Sequence, residues 1–181
     1  NYAAKKGYFK SIISLIPAIY SKDFKDVQSS GQIVFNGYVK GIYNDKNLPA
    51  FDVNLLVEDA MFKYPDLPKS VDNIQIKMNA SNPGGSEDNT VVDISKFHLE
   101  MGDNPVDVRL YVKTPVSDPD MEGALKAQIN LASMKEFIPM EEGEDYNGNI
   151  TADIEMKGKM STLDNEDYEN FEARGNLIIL D

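Results

Sequence analysis

Seven stretches of this 181-residue chain alternate apolar and polar side chains with a period of two, and that pattern constrains the fold more than any other feature. They are Ile33/Phe35/Val39, Phe51/Val53/Leu55/Val57, Ile74/Ile76/Met78/Ala80, Val106/Val108/Leu110/Val112, Leu125/Ala127/Ile129/Leu131, Ile150/Ala152/Ile154/Met156 and Phe171/Ala173/Leu177/Ile179. Successive side chains of a β-strand point to opposite faces, so each stretch reads as a strand with one apolar and one wet face. The polar partners Gln75/Lys77/Asn79, Asp107/Arg109 and Thr151/Asp153/Glu155 fit antiparallel pairing better than a parallel sheet covered on both sides.

In Thr90–Met101 the parity switches, from Val92 and Ile94 to Phe97, Leu99 and Met101. One extra residue near Ser95-Lys96 restores a single dry face, so a β-bulge is expected there. Turn chemistry separates the runs at Asn44–Asn47, Asn82-Pro-Gly-Gly85, Gly102–Pro105 and Ser117–Asp120. Near the N-terminus the period is different. Phe9, Ile12, Ile13, Ile16, Ile19 and Tyr20 follow helical spacing, with Pro17 interrupting, which predicts a short amphipathic helical segment, kinked or split, packing on the sheet.

Gly31-Gln-Ile-Val-Phe-Asn-Gly-Tyr-Val-Lys-Gly41 returns as Gly148-Asn-Ile-Thr-Ala-Asp-Ile-Glu-Met-Lys-Gly158. Two partial copies suggest a window of a longer array, since repeated units bury their apolar faces on their neighbours. The expected organisation is a helical segment over 1–30, a first β unit over 31–139 and the start of a second over 140–181. The fold class is mostly β: a twisted antiparallel sheet curling into a groove or open sandwich.

The formal charge of −12 argues against nucleic acid, whose phosphates require clustered Lys and Arg. Without cysteine the chain has no disulfide, thiolate metal site or thiol nucleophile. No apolar run approaches the ~20 residues of a membrane-spanning helix, and no signal-peptide apolar region is present. The single histidine, His98, is expected on the face opposite Phe97 and Leu99, in solvent, with no motif supplying a nucleophile. Asp145-Tyr-Asn147-Gly-Asn149 spaces oxygen ligands as a calcium loop does, but Ile150 and Met156 stand where such a loop requires Gly and Glu. Asn82-Pro-Gly-Gly85 lacks the Lys-Ser/Thr of a phosphate loop. No enzyme, metal or cofactor is expected.

The run Phe24–Gly31, then Asn36-Gly-Tyr-Val-Lys-Gly41, Leu48-Pro-Ala-Phe51, Tyr64-Pro-Asp-Leu-Pro68, Val71-Asp-Asn-Ile74 and Asn82–Gly85, resembles the C-terminal region of the AsmA-like proteins of Bacteroidetes over nearly the whole chain. The resemblance implies a β-rich periplasmic module of the cell envelope. It further implies an N-terminal anchor in the inner membrane and a part in outer-membrane biogenesis and lipid transport, with phospholipid or another envelope lipid as partner. The groove lining would be Val53, Leu55, Val57, Ile74, Ile76, Met78, Phe97, Leu99, Val106, Val108, Leu110, Ile129, Ile150 and Ile154. An adhesion or carbohydrate-binding sandwich is the alternative, which a second sheet and an aromatic cluster of Tyr38, Tyr43 and Tyr111 would favour. A hydrolase built from scattered carboxylates is a third.

Overall fold

The computed structural model describes residues 2–8, 27–44, 47–139 and 146–180. Among these, nine strands form one antiparallel sheet: β1 (Tyr2–Tyr8), β2 (Gln28–Lys40), β3 (Ala50–Lys63), β4 (Val71–Asn82), β5 (Val91–Met101), β6 (Asn104–Lys113), β7 (Asp120–Asn130), β8 (Asn149–Lys159) and β9 (Glu172–Leu180). Spatial order equals chain order, so the sheet is an up-and-down meander, and it does not close into a barrel. Each strand pairs with its sequence neighbour, an antiparallel arrangement that needs no crossover connection.

Every alternating run falls on a strand, except that Leu131 opens a 3₁₀ helix and Phe171 precedes β9, and the turn signals fall at the junctions between strands. The bulge in β5 is also present. Ile94 pairs with Leu110 and Phe97 with Val108, leaving Ser95 and Lys96 opposite Arg109 alone. Two further bulges lie beside it, at Glu58-Asp59 in β3 and Asp72-Asn73 in β4, where Asp59 (φ 49°) and Asn73 (φ 48°) take left-handed conformations. Bulges in three successive strands bend the ladder and increase its twist.

Part of the 1–30 segment differs from the helical expectation. Tyr2–Tyr8 pairs with β2, from Tyr2 opposite Gly37 to Tyr8 opposite Gln32, and β2 itself begins at Gln28. The sequence YAAKKGY carries no alternation that would announce a strand. The helix-patterned positions Phe9 to Tyr20 lie outside the described residues. The expected 139/140 boundary falls at the edge of the described residues, and the strands on either side, β7 and β8, pair without a register shift from Asp120 opposite Lys159 to Asn130 opposite Asn149.

The core sits at one end of the sheet. There Ile33, Val57, Ala60, Val71 and Ile74 pack with Met134 and Phe137, which the 3₁₀ helix Leu131–Glu136 folds across the strand ends. Buried Asn104 holds this cap: its Nδ2 donates to Met101 O (2.6 Å) and Ser133 Oγ (3.2 Å), and its Oδ1 accepts from Asn130 N. Lys69 adds an ion pair with Glu136, and its ammonium lies 5.4 Å from the Phe137 ring centroid.

At the opposite end the loops are joined in series. Leu48 and Gly85 exchange backbone hydrogen bonds, tying the β2–β3 loop to the β4–β5 loop. Asp88 Oδ1 accepts from Val116 N and Ser117 N, reaching the β6–β7 loop. Asp118 then accepts from Ser161 N and Oγ in the short helix α1 (Met160–Asp164), which begins the β8–β9 connection. Buried Asn82 organises the β4–β5 loop, donating to Ser86 O and Thr90 Oγ1 and accepting from Gly84 N. Among the described residues no second sheet stiffens this one, and these contacts between loops hold its rim instead.

Candidate functional site

Register converts alternation into a surface. Cross-strand partners share a face, so the pairings define apolar ladders perpendicular to the strands. One runs Ile33–Val57–Ile76–Phe97–Val108–Leu125–Ile154. A second runs Phe35–Leu55–Met78–Ile94–Leu110–Gly123–Met156, and a third begins at Val53. Leu99–Val106–Ala127–Ala152–Leu177 and Ile129–Ile150–Ile179 follow toward the cap, with Ile74 opposite Ala60 beside them. All fourteen proposed lining residues therefore lie on one face.

That face has a closed end and an open one. Val57 and Ile74 are fully buried near the Phe137 cap, whereas Leu55, Met78, Leu110 and Ile154 are half-buried. No second sheet covers the ladders among the described residues. A depression of about 950 Å³ lies against β5–β9. Its wall mixes ladder residues (Ile94, Leu110, Met156) with Phe171 and with charged neighbours from the other face (Arg109, Glu122, Glu155, Arg174), so it does not coincide with the apolar ladders alone.

The opposite face is polar and tightly bonded. His98 lies there, opposite Phe97 and Leu99, but it is not in solvent: its side chain is 14% exposed. Nδ1 lies 2.8 Å from Asp107 Oδ1, while Nε2 is 3.3 Å from Glu100 Oε1 and 3.2 Å from Asn73 Nδ2. Asn73 donates to Glu100 (2.9 Å) and accepts from Gln75 Nε2 (2.6 Å). The hydrogen bonds from Asn73 and then from His98 hold the Glu100 carboxyl below its ordinary range. Carboxylates, amides and an imidazole make up this network. Its evident work is to lock the bulged β4 against β5 and β6. Among the described residues no three His, Cys, Asp or Glu side chains are grouped to hold a metal ion. The calcium-like spacing begins at Asp145, which lies outside the described residues.

The aromatic patch of the alternative reading is not assembled. Tyr38 is on β2 and Tyr111 on β6, four strands apart, or about 19 Å at the usual strand spacing. Tyr43 belongs to the β2–β3 loop. Sequence reasoning gave no role to Asp88, Asn104, Asp118 or Phe137, whose partners lie far along the chain, whereas Asn82, placed in a turn by its sequence, bonds only within its own loop.

No family model, curated protein or solved structure matches this chain. Among the described residues no helix is long and apolar enough to cross a membrane, which says nothing of strands.

Proposed function

We propose that the apolar face binds the acyl chains of phospholipid, and that the protein is a non-enzymatic, AsmA-like periplasmic module serving outer-membrane biogenesis and lipid homeostasis. In this reading an N-terminal anchor ties it to the inner membrane. The observation that carries the acyl-chain reading is the continuity of the ladder from Ile33 to Ile154: aliphatic or aromatic side chains succeed one another from β2 to β8 on a face with no second sheet over it among the described residues. Such a surface needs no binding motif. Each CH₂ group removed from water contributes about 0.8 kcal/mol, and a chain lying across neighbouring strands can accumulate many such terms. The AsmA-like identity rests on the glycine, proline and aromatic spacing from Phe24 to Gly85.

The test is lipid extraction of purified protein followed by mass spectrometry, together with titration of a fluorescent phospholipid. Co-purifying phospholipid and binding at micromolar concentration are expected. Leu110→Glu and Ile154→Lys, which place charge on the ladders, should each weaken binding by roughly tenfold or more, whereas Tyr111→Lys on the polar face should not. A lipid-free protein that also fails to bind the probe overturns the proposal.

A further inference from the structure

The polar face carries three cations that the sheet leaves without a counter-charge. Of the lysines and arginines on β4–β9, Lys126, Lys157, Lys159 and Arg174 pair with Asp153, Glu122, Asp118 and Glu155 at 2.7–3.4 Å. The Lys113 ammonium lies 5.2 Å from the Tyr111 ring centroid. Those that remain are Lys77, Lys96 and Arg109, and they are neighbours. Lys77 is the cross-strand partner of Lys96, and the bulge sets Ser95 and Lys96 together opposite Arg109. Like charges placed directly opposite destabilise a sheet, and a chain of net charge −12 has carboxylates in excess to neutralise them. Among the described residues none does so. Asp107 is held by His98, Glu155 is held by Arg174, and Lys96 donates to the neutral amide oxygen of Gln75. Asp93, the other carboxylate beside Arg109 on this face, forms no ion pair among the described residues.

The same row ends in a hollow. Register continues from Arg109 to Ala124 and then to Glu155 and Arg174. Ala124 projects only a methyl group, so the row drops to a low floor between Arg109 and the Glu155–Arg174 pair, about 10 Å wide at the usual strand spacing. Ser95, Arg109, Ala124, Glu155 and Arg174 all line the depression of about 950 Å³. Its other cations, Lys157 and Arg174, are engaged by Glu122 and Glu155, which leaves the Arg109 guanidinium as the donor group an incoming anion meets.

We propose that Lys77, Lys96 and Arg109 form an anion site for the phosphate group of a small, soluble phosphate monoester, the rest of which lies over Ala124 in the depression. Three cations suit a dianion with three terminal oxygens better than a carboxylate, and arginine presents its donors in a fork that fits two of them. An anionic polymer or membrane is a poor fit, because the carboxylates surrounding the patch would face it within a screening length of about 10 Å. The site lies on the face opposite the ladders, so it does not depend on acyl chains binding there, and the headgroup of a lipid lying on the ladders could not reach it.

Phenyl phosphate is the probe, titrated at constant ionic strength into the full chain labelled with nitrogen-15. Saturable shifts are expected at the amides of Lys77, Ser95 and Lys96 and at Arg109 Nε–H, with Kd on the order of 1 mM at low salt and several-fold higher at roughly 0.2 M. Acetate should bind about tenfold more weakly or less, inorganic phosphate should compete, and vesicles of phosphatidylglycerol should leave the probe bound. Arg109→Gln and Lys77→Gln should each weaken binding roughly fivefold or more, with circular dichroism and the binding of fluorescent phospholipid unchanged. Lys113→Gln, on the same face but over Tyr111, should not. Phenyl phosphate should also raise the melting temperature of the unsubstituted chain and not that of Arg109→Gln. Shifts that do not saturate, equal binding of acetate, displacement of the probe by vesicles, or binding by both glutamine variants as tight as that of the unsubstituted chain would each overturn the proposal.

Discussion

Gly31 faces Ala60, a residue with no exposed surface, at a bulge between β2 and β3. Its φ of 129° is open to glycine and strained for other residues, and a Cβ there would stand 2.5 Å from Ala60 Cα. Gly31→Ala should therefore cost about 2 kcal/mol or more, seen as a lowered urea midpoint with an unchanged slope. Gly123 provides the contrast. A Cβ there meets Arg109 O, Met156 Cγ and Leu110 Cδ1 at 3.5–3.6 Å, ordinary contact distances. Gly123→Ala should shift stability by no more than about 0.5 kcal/mol. The second copy of the repeat follows the first in this respect: Gly148 and Gly158 have φ of 103° and 154°, as Gly31 and Gly41 have 129° and 130°. The repeat thus specifies where the backbone leaves ordinary strand geometry, and no chemistry.

Three loop or strand contacts are held by carboxylates whose pKa lies below the ordinary value. Asp88 is lowered by hydrogen bonds from Ser117 and then Val116, Asp118 by Ser161 and then Lys159, and Glu100 by Asn73 and then His98. A folded-state pKa below the unfolded one stabilises the fold above the unfolded value, and the contribution is lost as pH falls through the folded value. With ordinary values of 3.8 for Asp and 4.5 for Glu, melting temperature should hold from neutral pH to about 5 and decline below. Asp118→Ala, which frees the β6–β7 loop from α1, should flatten part of that decline. At the capped end, Phe137→Ala opens a cavity in the best-packed region and should cost about 3–5 kcal/mol, with dye binding showing a newly uncovered apolar face. The elements differ in how far their sequence announced them. A strand's faces are local, so alternation from Ile33 to Ile179 located them, and even the bulge at Ser95-Lys96 followed from a parity switch. The partners of His98 were invisible because Asn73 and Asp107 reach it only through the register of β4, β5 and β6. β1 was missed because YAAKKGY offers neither alternation nor β-branched residues.

A meander in which each strand pairs only with its sequence neighbours distributes stability unevenly along the sheet. Strands β3 and β4 have a partner on both sides and carry the packed core with Met134 and Phe137, whereas β9 has one partner among the described residues and exposed side chains throughout. Amide exchange should report this gradient: amides of β3 and β4 should open only with global unfolding, while outward-facing amides of β9 exchange as freely as a loop. The same measurement separates the two proposals. Acyl chains lying on the ladders would slow exchange across β4–β8 when phospholipid is added, with no phosphate ester present. Phenyl phosphate on the polar face would instead slow the local openings of β4–β6 around Lys77, Ser95-Lys96 and Arg109, with no lipid present. A bulge leaves its extra residue unpaired in the ladder, so the amides at Ser95-Lys96 are the ones whose opening a bound anion should suppress most. Slowing as large in β7 and β8 as at the bulge would indicate a general salt effect on the sheet and not a ligand held at one row.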